Sequence, residues 1–142
     1  MLRLSRVMHE EIRNHGVRSY PFEGCGLLIG KVVSGHNNVL KIVPLENVWP
    51  VEDEKRERFR ISEDAWRDAE LEAMADDMDV IGIFHSHPDC APVASPRDLG
   101  WASWPGYSYL ITEIREGKPA GSQAWQLKED RSGFAEEPIE TT

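Results

Sequence analysis

The sequence predicts a single mixed α+β domain with strands and helices interleaved. Three observations predict it. Two short apolar runs, 25–33 and 80–84, have the length of buried strands; two stretches, 5–15 and 63–77, set apolar residues at helical spacing; and turn-forming residues separate them. At 142 residues the chain is long enough for one substantial core and short for two, so residues 1–131 are expected to form the domain.

From the N-terminus, residues 5–15 place Val7, Met8, Glu11 and Ile12 in a helical pattern, with Gly16 as a plausible stop. Tyr20-Pro21-Phe22-Glu23-Gly24 reads as irregular, and Cys25–Val33 as the first buried strand. Residues 34–38 have hairpin-turn composition, and Val39–Leu45 returns as a second strand. Residues 50–58 are almost all charged and predict an exposed, mobile loop. Phe59-Arg60-Ile61 is a short strand candidate. Ser62 fits the N-cap of a helix from Glu63 to about Asp77, with Ala65, Ala69, Leu71 and Met74 on its apolar side.

Asp79–Phe84 then reads as a buried strand delivering His85 at its end. Ser95-Pro96-Arg97-Asp98 has the form of a helix start, with Ser at the cap, Pro at the first helical position and Asp in the first turn. Trp104-Pro105-Gly106 would end that helix. Residues 107–112 and 122–128 are two further strands, and the acidic, proline-containing tail 132–142 is expected to fray.

Composition narrows the partners. A net charge of −9 argues against nucleic acid, which needs a basic face for its phosphates. No apolar run approaches the roughly 20 residues of a membrane span, and Met1-Leu2-Arg3-Leu4-Ser5-Arg6 leads into no apolar signal segment, so a cytoplasmic protein without membrane contact is expected. Cys25 and Cys90 are far apart and form no CxxC pair, which speaks against a disulfide framework.

The chemistry concentrates in His85-Ser86-His87, Ser95 and Asp98. Residues i and i+2 of a strand project to one face, so both imidazoles can reach one ion. The loop 89–94 is long enough for Asp98 to return over the same point. Imidazole and carboxylate both suit zinc. Three protein ligands with no evident fourth is the arrangement of a catalytic zinc, which leaves one position open for water. An isolated pair of histidines is as readily a surface feature. Here the pair closes a buried apolar strand and is followed by Ser-Pro-x-Asp, which favours the ligand reading.

Glu23, His85-Ser86-His87-Pro88 and Ser95-x-x-Asp98 resemble the JAMM motif (E…HxH…SxxD) of the MPN, or Mov34/PAD-1, metallopeptidases. The likeness covers most of the chain. Glu23–Gly30 is similar to the family's first catalytic strand, and Trp104-Pro105-Gly106-Tyr107-Ser108-Tyr109 to the segment after the motif in short, stand-alone bacterial members. One departure is visible: the residue before the serine, often proline in the family, is Ala94, with Pro92 two positions earlier. That affects loop rigidity and leaves every chemical position filled.

The resemblance implies a curved, mostly antiparallel sheet flanked by helices, similar in architecture to cytidine deaminase. It implies one Zn²⁺ per chain on His85, His87 and Asp98, with Glu23 as general base and Ser95 donating to the developing oxyanion. The implied activity is hydrolysis of a peptide or isopeptide bond after the C-terminal Gly-Gly of a ubiquitin-like sulfur-carrier protein. The extended tail would pair as an added strand. On its own residues, Glu23 is an ordinary loop glutamate, and only the flanking Gly24 and Gly26 hint at a backbone close to substrate.

Among the remaining residues, Cys90 reads as a bystander, because a thiolate beside the ion would close the site. Cys25 reads as a small packing residue, and His9, His15 and His36 as surface or capping histidines. Trp101, Trp104 and Tyr107 default to the core, with Trp104 and Tyr107 as candidates for the substrate groove. The charged run 52–58 is a solvated loop or a substrate contact. A non-catalytic MPN scaffold is the rival from another class, although such modules typically lack part of the ligand set. A zinc deaminase would need HxE and PCxxC, and neither occurs.

Overall fold

The computed structural model describes residues 1–95 and 105–142. In chain order the elements are β1 (Leu2–Leu4), α1 (Arg6–Ser19), β2 (Cys25–Val33), β3 (His36–Leu45), a 3₁₀ turn (Glu52–Arg56), α2 (Glu63–Ala75), β4 (Asp79–Pro88), β5 (Ser108–Arg115), β6 (Lys118–Leu127), β7 (Phe134–Glu137) and β8 (Ile139–Thr141). They form an eight-stranded sheet in the order β7-β6-β5-β4-β2-β3-β1-β8. Four of its neighbour pairs are antiparallel, and β4 with β5, β1 with β3 and β1 with β8 run parallel.

Both helices start where a serine supplies a cap. Ser5 Oγ accepts from the Met8 amide at 3.1 Å, and Ser62 Oγ from the Ala65 amide at 3.3 Å. Gly16 does not stop α1, which runs on to Ser19. A Cβ at Gly16 would stand 2.9 Å from Cδ1 of Ile114, so the glycine is there to let α1 lie close on β5. On α2 the buried face is narrower than expected. Ala69 and Ala73 are buried, whereas Leu71 and Met74 are more than half exposed. Small residues allow the helix to approach the sheet, and the larger ones fall outside the contact.

The sheet carries a core on each face. On one, Leu27, Ile29, Ile83, Tyr109 and Leu127 pack with Phe59, Ile61 and the α2 alanines; on the other, Leu28, Phe84 and Leu110 pack with Ile12, Leu2 and Leu4. Phe59-Arg60-Ile61 forms no strand, but its two apolar side chains enter the first core. Hairpin turns at Ser34-Gly35 and Glu116-Gly117 place both central residues at positive φ, the geometry that matches sheet twist.

The tail 132–142 corrects the expectation of a frayed end. Phe134–Glu137 pairs with β6 at one edge of the sheet, and Ile139–Thr141 pairs with β1 at the other. Only Pro138 separates them, so the sheet curls until its two edges meet. Ladder bonds on each side outweigh the acidic composition, and Glu137, buried, receives the Met1 amino group at 3.3 Å and Gln126 Nε2 at 3.0 Å. Among the described residues no helix is long and apolar enough to cross a membrane.

Candidate metal centre

β4 lies in the middle of the sheet, antiparallel to β2 and parallel to β5. It does not end before His85 but continues to Pro88, because β5 runs alongside: His85 pairs with Ile111, Ser86 with Thr112 and His87 with Glu113. The chain then turns sharply at Asp89, which has φ +56°. Both histidines therefore stand on one face of a strand fixed along its length, and both are buried.

Their Nε2 atoms are 3.2 Å apart. Two nitrogens bound to one zinc at about 2.0–2.1 Å in tetrahedral geometry would be separated by about 3.3 Å. The donor set therefore suits the ion. Nδ1 of His87 lies 2.9 Å from the Ala91 carbonyl oxygen. A carbonyl can only accept, so Nδ1 carries the proton and Nε2 presents its lone pair to the centre, the usual arrangement behind a metal-binding imidazole. His85 stacks on Phe59, with ring centroids 4.6 Å apart and planes inclined by 26°.

Glu23 joins them. Its carboxylate and the two imidazoles offer ligand atoms that all lie within 4.8 Å of one another, and all three residues are buried. Glu23 precedes β2, and two devices outside that strand hold it there. Ser86, pointing to the opposite face from its histidine neighbours, accepts from the Gly24 amide through Oγ at 2.7 Å and donates its own amide to the Gly24 carbonyl at 3.0 Å. On the other side, the Glu23 amide donates to the Lys55 carbonyl at 2.7 Å, and Asn47 Nδ2 donates to the Glu23 carbonyl at 3.0 Å. The sequence alone singled out neither Ser86 nor Asn47. Period-two alternation could have placed Ser86 on the far face, but nothing local marks Asn47.

A cleft of about 410 Å³ opens beside the cluster, and Glu23, His87, Ser95, Arg56 and Glu57 are among its lining residues. The charged 50–58 segment is thus not a free loop. It winds into a 3₁₀ turn against the cleft, with the Trp49 ring beneath the guanidinium groups of Arg58 and Arg60 at 5.2 and 5.0 Å. Asp98, Trp101 and Trp104 lie outside the described residues. Tyr107 is half-buried against the first core rather than along the described cleft wall, and burial followed by the charge of Glu70 pushes its phenol up to about 12.

The cysteines differ. Cys25 sits across from His85 with its thiol pushed up to about 12, first by burial and then by the charge of Glu23, so it stays protonated and packs in the core. Cys90 is exposed on the cleft lining. His15 is not a surface residue. Its Nε2 is shared between the carbonyls of Cys25 at 3.0 Å and Leu45 at 3.3 Å, which ties together the ends of β2 and β3 behind Glu23. His9 contacts Ser122 Oγ at 3.1 Å.

Comparison with known proteins agrees with this geometry. The family described as prokaryotic homologs of the JAB domain matches residues 5–128. The chain is 36% identical to a desampylase from Pyrococcus furiosus over 80% of its own length and 72% of that protein. It is 31% identical to a probable TtuB-protein conjugate cleaving protease from Thermus thermophilus, over 73% of this chain and 65% of that one. Among solved structures, a protein from Desulfitobacterium hafniense superposes with a TM-score of 0.86 at 29% identity, covering 100% of this chain and 93% of the other. A JAB1/MPN domain protein from Archaeoglobus fulgidus shares the fold, with a TM-score of 0.60 at 18% identity, covering 100% of this chain and 97% of the other.

Proposed function

This chain belongs to the family of prokaryotic homologs of the JAB domain, and from that premise we propose that it is a zinc-dependent hydrolase. Its substrate would be a ubiquitin-like sulfur-carrier protein, cut at the peptide or isopeptide bond after the C-terminal Gly-Gly. The observation that carries the reading is the buried cluster of Glu23, His85 and His87, two members of which line an open cleft.

In this reading His85, His87 and Asp98 hold one zinc ion. Bound there, zinc supplies Lewis acidity, drawing the pKa of water toward neutrality and polarising a carbonyl. Glu23 accepts the proton of the attacking water and hands it to the leaving amine, so the carboxylate ends each turnover as it began. Ser95, on the cleft lining, donates a hydrogen bond to the oxygen that gains charge. Apolar Pro88, Ala91 and Val93 line the same cleft beside the charged Arg56 and Glu57. Two successive glycines would let an extended tail pass close to this lining. The compartment that fits this chemistry and composition is the cytoplasm.

The test is incubation of the zinc-loaded protein with a ubiquitin-like carrier that bears residues beyond Gly-Gly, with products read by mass spectrometry. Cleavage directly after Gly-Gly, abolished by a chelator, is the expected result. An intact tail, or cleavage elsewhere, would overturn the reading.

A further inference from the structure

Asn47 lies in the short connection after β3, half-buried, and its carboxamide makes four hydrogen bonds. Nδ2 donates to the carbonyls of Glu23 and Arg58, each at 3.0 Å. Oδ1 accepts from the amides of Trp49 at 3.1 Å and Arg60 at 3.2 Å. Both donors and both lone pairs of the amide are used, and no other neutral side chain of that size offers the same set. Separately, the Glu23 amide ends on the Lys55 carbonyl at 2.7 Å. Both backbone polar groups of Glu23 are therefore taken up by the 47–60 segment. That same segment supplies Arg56 and Glu57 to the cleft.

We propose that Asn47 is a positioning residue for Glu23, locking the charged 52–57 wall of the cleft and the base into one mechanical unit. The inference rests on the reading of Glu23 as the base and deepens it. A polypeptide tail that presses on the wall then sets the carboxylate as well, so proton transfer is fully efficient only with the wall in place. The simpler role for such an asparagine is a local clip that satisfies the amides of Trp49 and Arg60 and leaves Glu23 to its own neighbours.

Amide hydrogen exchange on the metal-free protein separates the two. In Asn47→Ala the amides of Trp49 and Arg60 lose their acceptor under either role. Under coupling, the Glu23 amide also exchanges at least about tenfold faster although its own acceptor, the Lys55 carbonyl, is untouched, while the β4 amides of Gly82 and Ile83 keep their protection. Faster exchange at Trp49 and Arg60 alone would overturn the proposal. Asn47→Asp keeps both acceptor bonds and removes both donors. It is expected to leave Trp49 and Arg60 protected while the Glu23 amide exchanges faster. In turnover, both variants are expected to retain zinc and to lose kcat by about 10- to 100-fold, the scale of a misplaced catalytic group. Unchanged kcat would overturn the proposal. If the wild-type protein itself cleaves no Gly-Gly carrier, the functional reading fails, and hydrogen exchange still decides the coupling.

Discussion

β4 and the 47–60 segment meet at the candidate metal centre but are held there by different means. β4 pairs with β2 as far as His85 and with β5 out to Pro88, so both histidines stand on a strand fixed in a ladder. The 47–60 segment belongs to no ladder. It is held instead by Asn47, by scattered backbone bonds such as those from the Val48 amide to the Arg60 carbonyl and from the Glu23 amide to the Lys55 carbonyl, by Trp49 Nε1 on Glu54, and by the stacking of Trp49 with two arginines. The contrast matches the tasks proposed for the two regions. A metal site tolerates little error in ligand placement, so its imidazoles sit on the stiffest element. A base must meet each substrate in turn, so Glu23 hangs between α1 and β2 from a segment that also forms the cleft wall.

Breaking the strand side should have the largest effect. His87→Ala removes one of the two nitrogens that face the centre, and zinc should fall from about one per chain to a trace by metal analysis, with turnover at background. Phe59 joins the two regions, since it arises from the looser segment and stacks on His85. Phe59→Ala should cost about 3–5 kcal/mol in denaturant unfolding, the range for a large buried aromatic. Ser86→Ala leaves the buried Gly24 amide without its 2.7 Å acceptor, and a loss of about 1–3 kcal/mol is expected in the same assay.

The smallest effect concerns pH. Burial, opposed in part by the carbonyls of Leu45 and Cys25, holds His15 below its ordinary pKa. The folded protein therefore keeps the imidazole neutral where the unfolded chain takes up a proton. Stability from this group is complete above about pH 6.5 and declines as pH falls below it. His15→Gln should flatten, without abolishing, the drop in urea midpoint between roughly pH 7.5 and roughly pH 5, because His9 is also held low by burial and remains.

The two regions also differ in how much of them could be read from sequence. The imidazoles of β4 follow from period-two alternation in an apolar run, and the Ser62 cap from a local rule, so both were visible in a few neighbouring residues. Asn47 was not, because its partners lie between 2 and 24 positions away and its role exists only once they converge. The 50–58 run looks solvated because its charges are exposed, yet its backbone carbonyls do the holding. A similar reason hid β8, whose exposed Glu140 looks solvated while its ladder bonds go to β1 at the other end of the chain; β7 pairs with the neighbouring β6, and its acidic Glu137 is buried against Met1 and Gln126. Gly16 misled in the opposite sense, since a close contact with Ile114 explains it better than a helix end.

The central claim is that Glu23 is the base of a metal-dependent hydrolysis, and Glu23→Gln tests it most directly. The variant keeps the backbone contacts with Lys55 and Asn47 and the size of the side chain, and replaces the carboxylate with a neutral amide that cannot take up the proton. Zinc content and cleavage of a Gly-Gly-extended carrier should be measured on the same sample. The expected result is zinc at the wild-type level with turnover lowered by about 10²- to 10⁴-fold. A Glu23→Gln protein that binds zinc and cleaves at the wild-type rate would contradict the account.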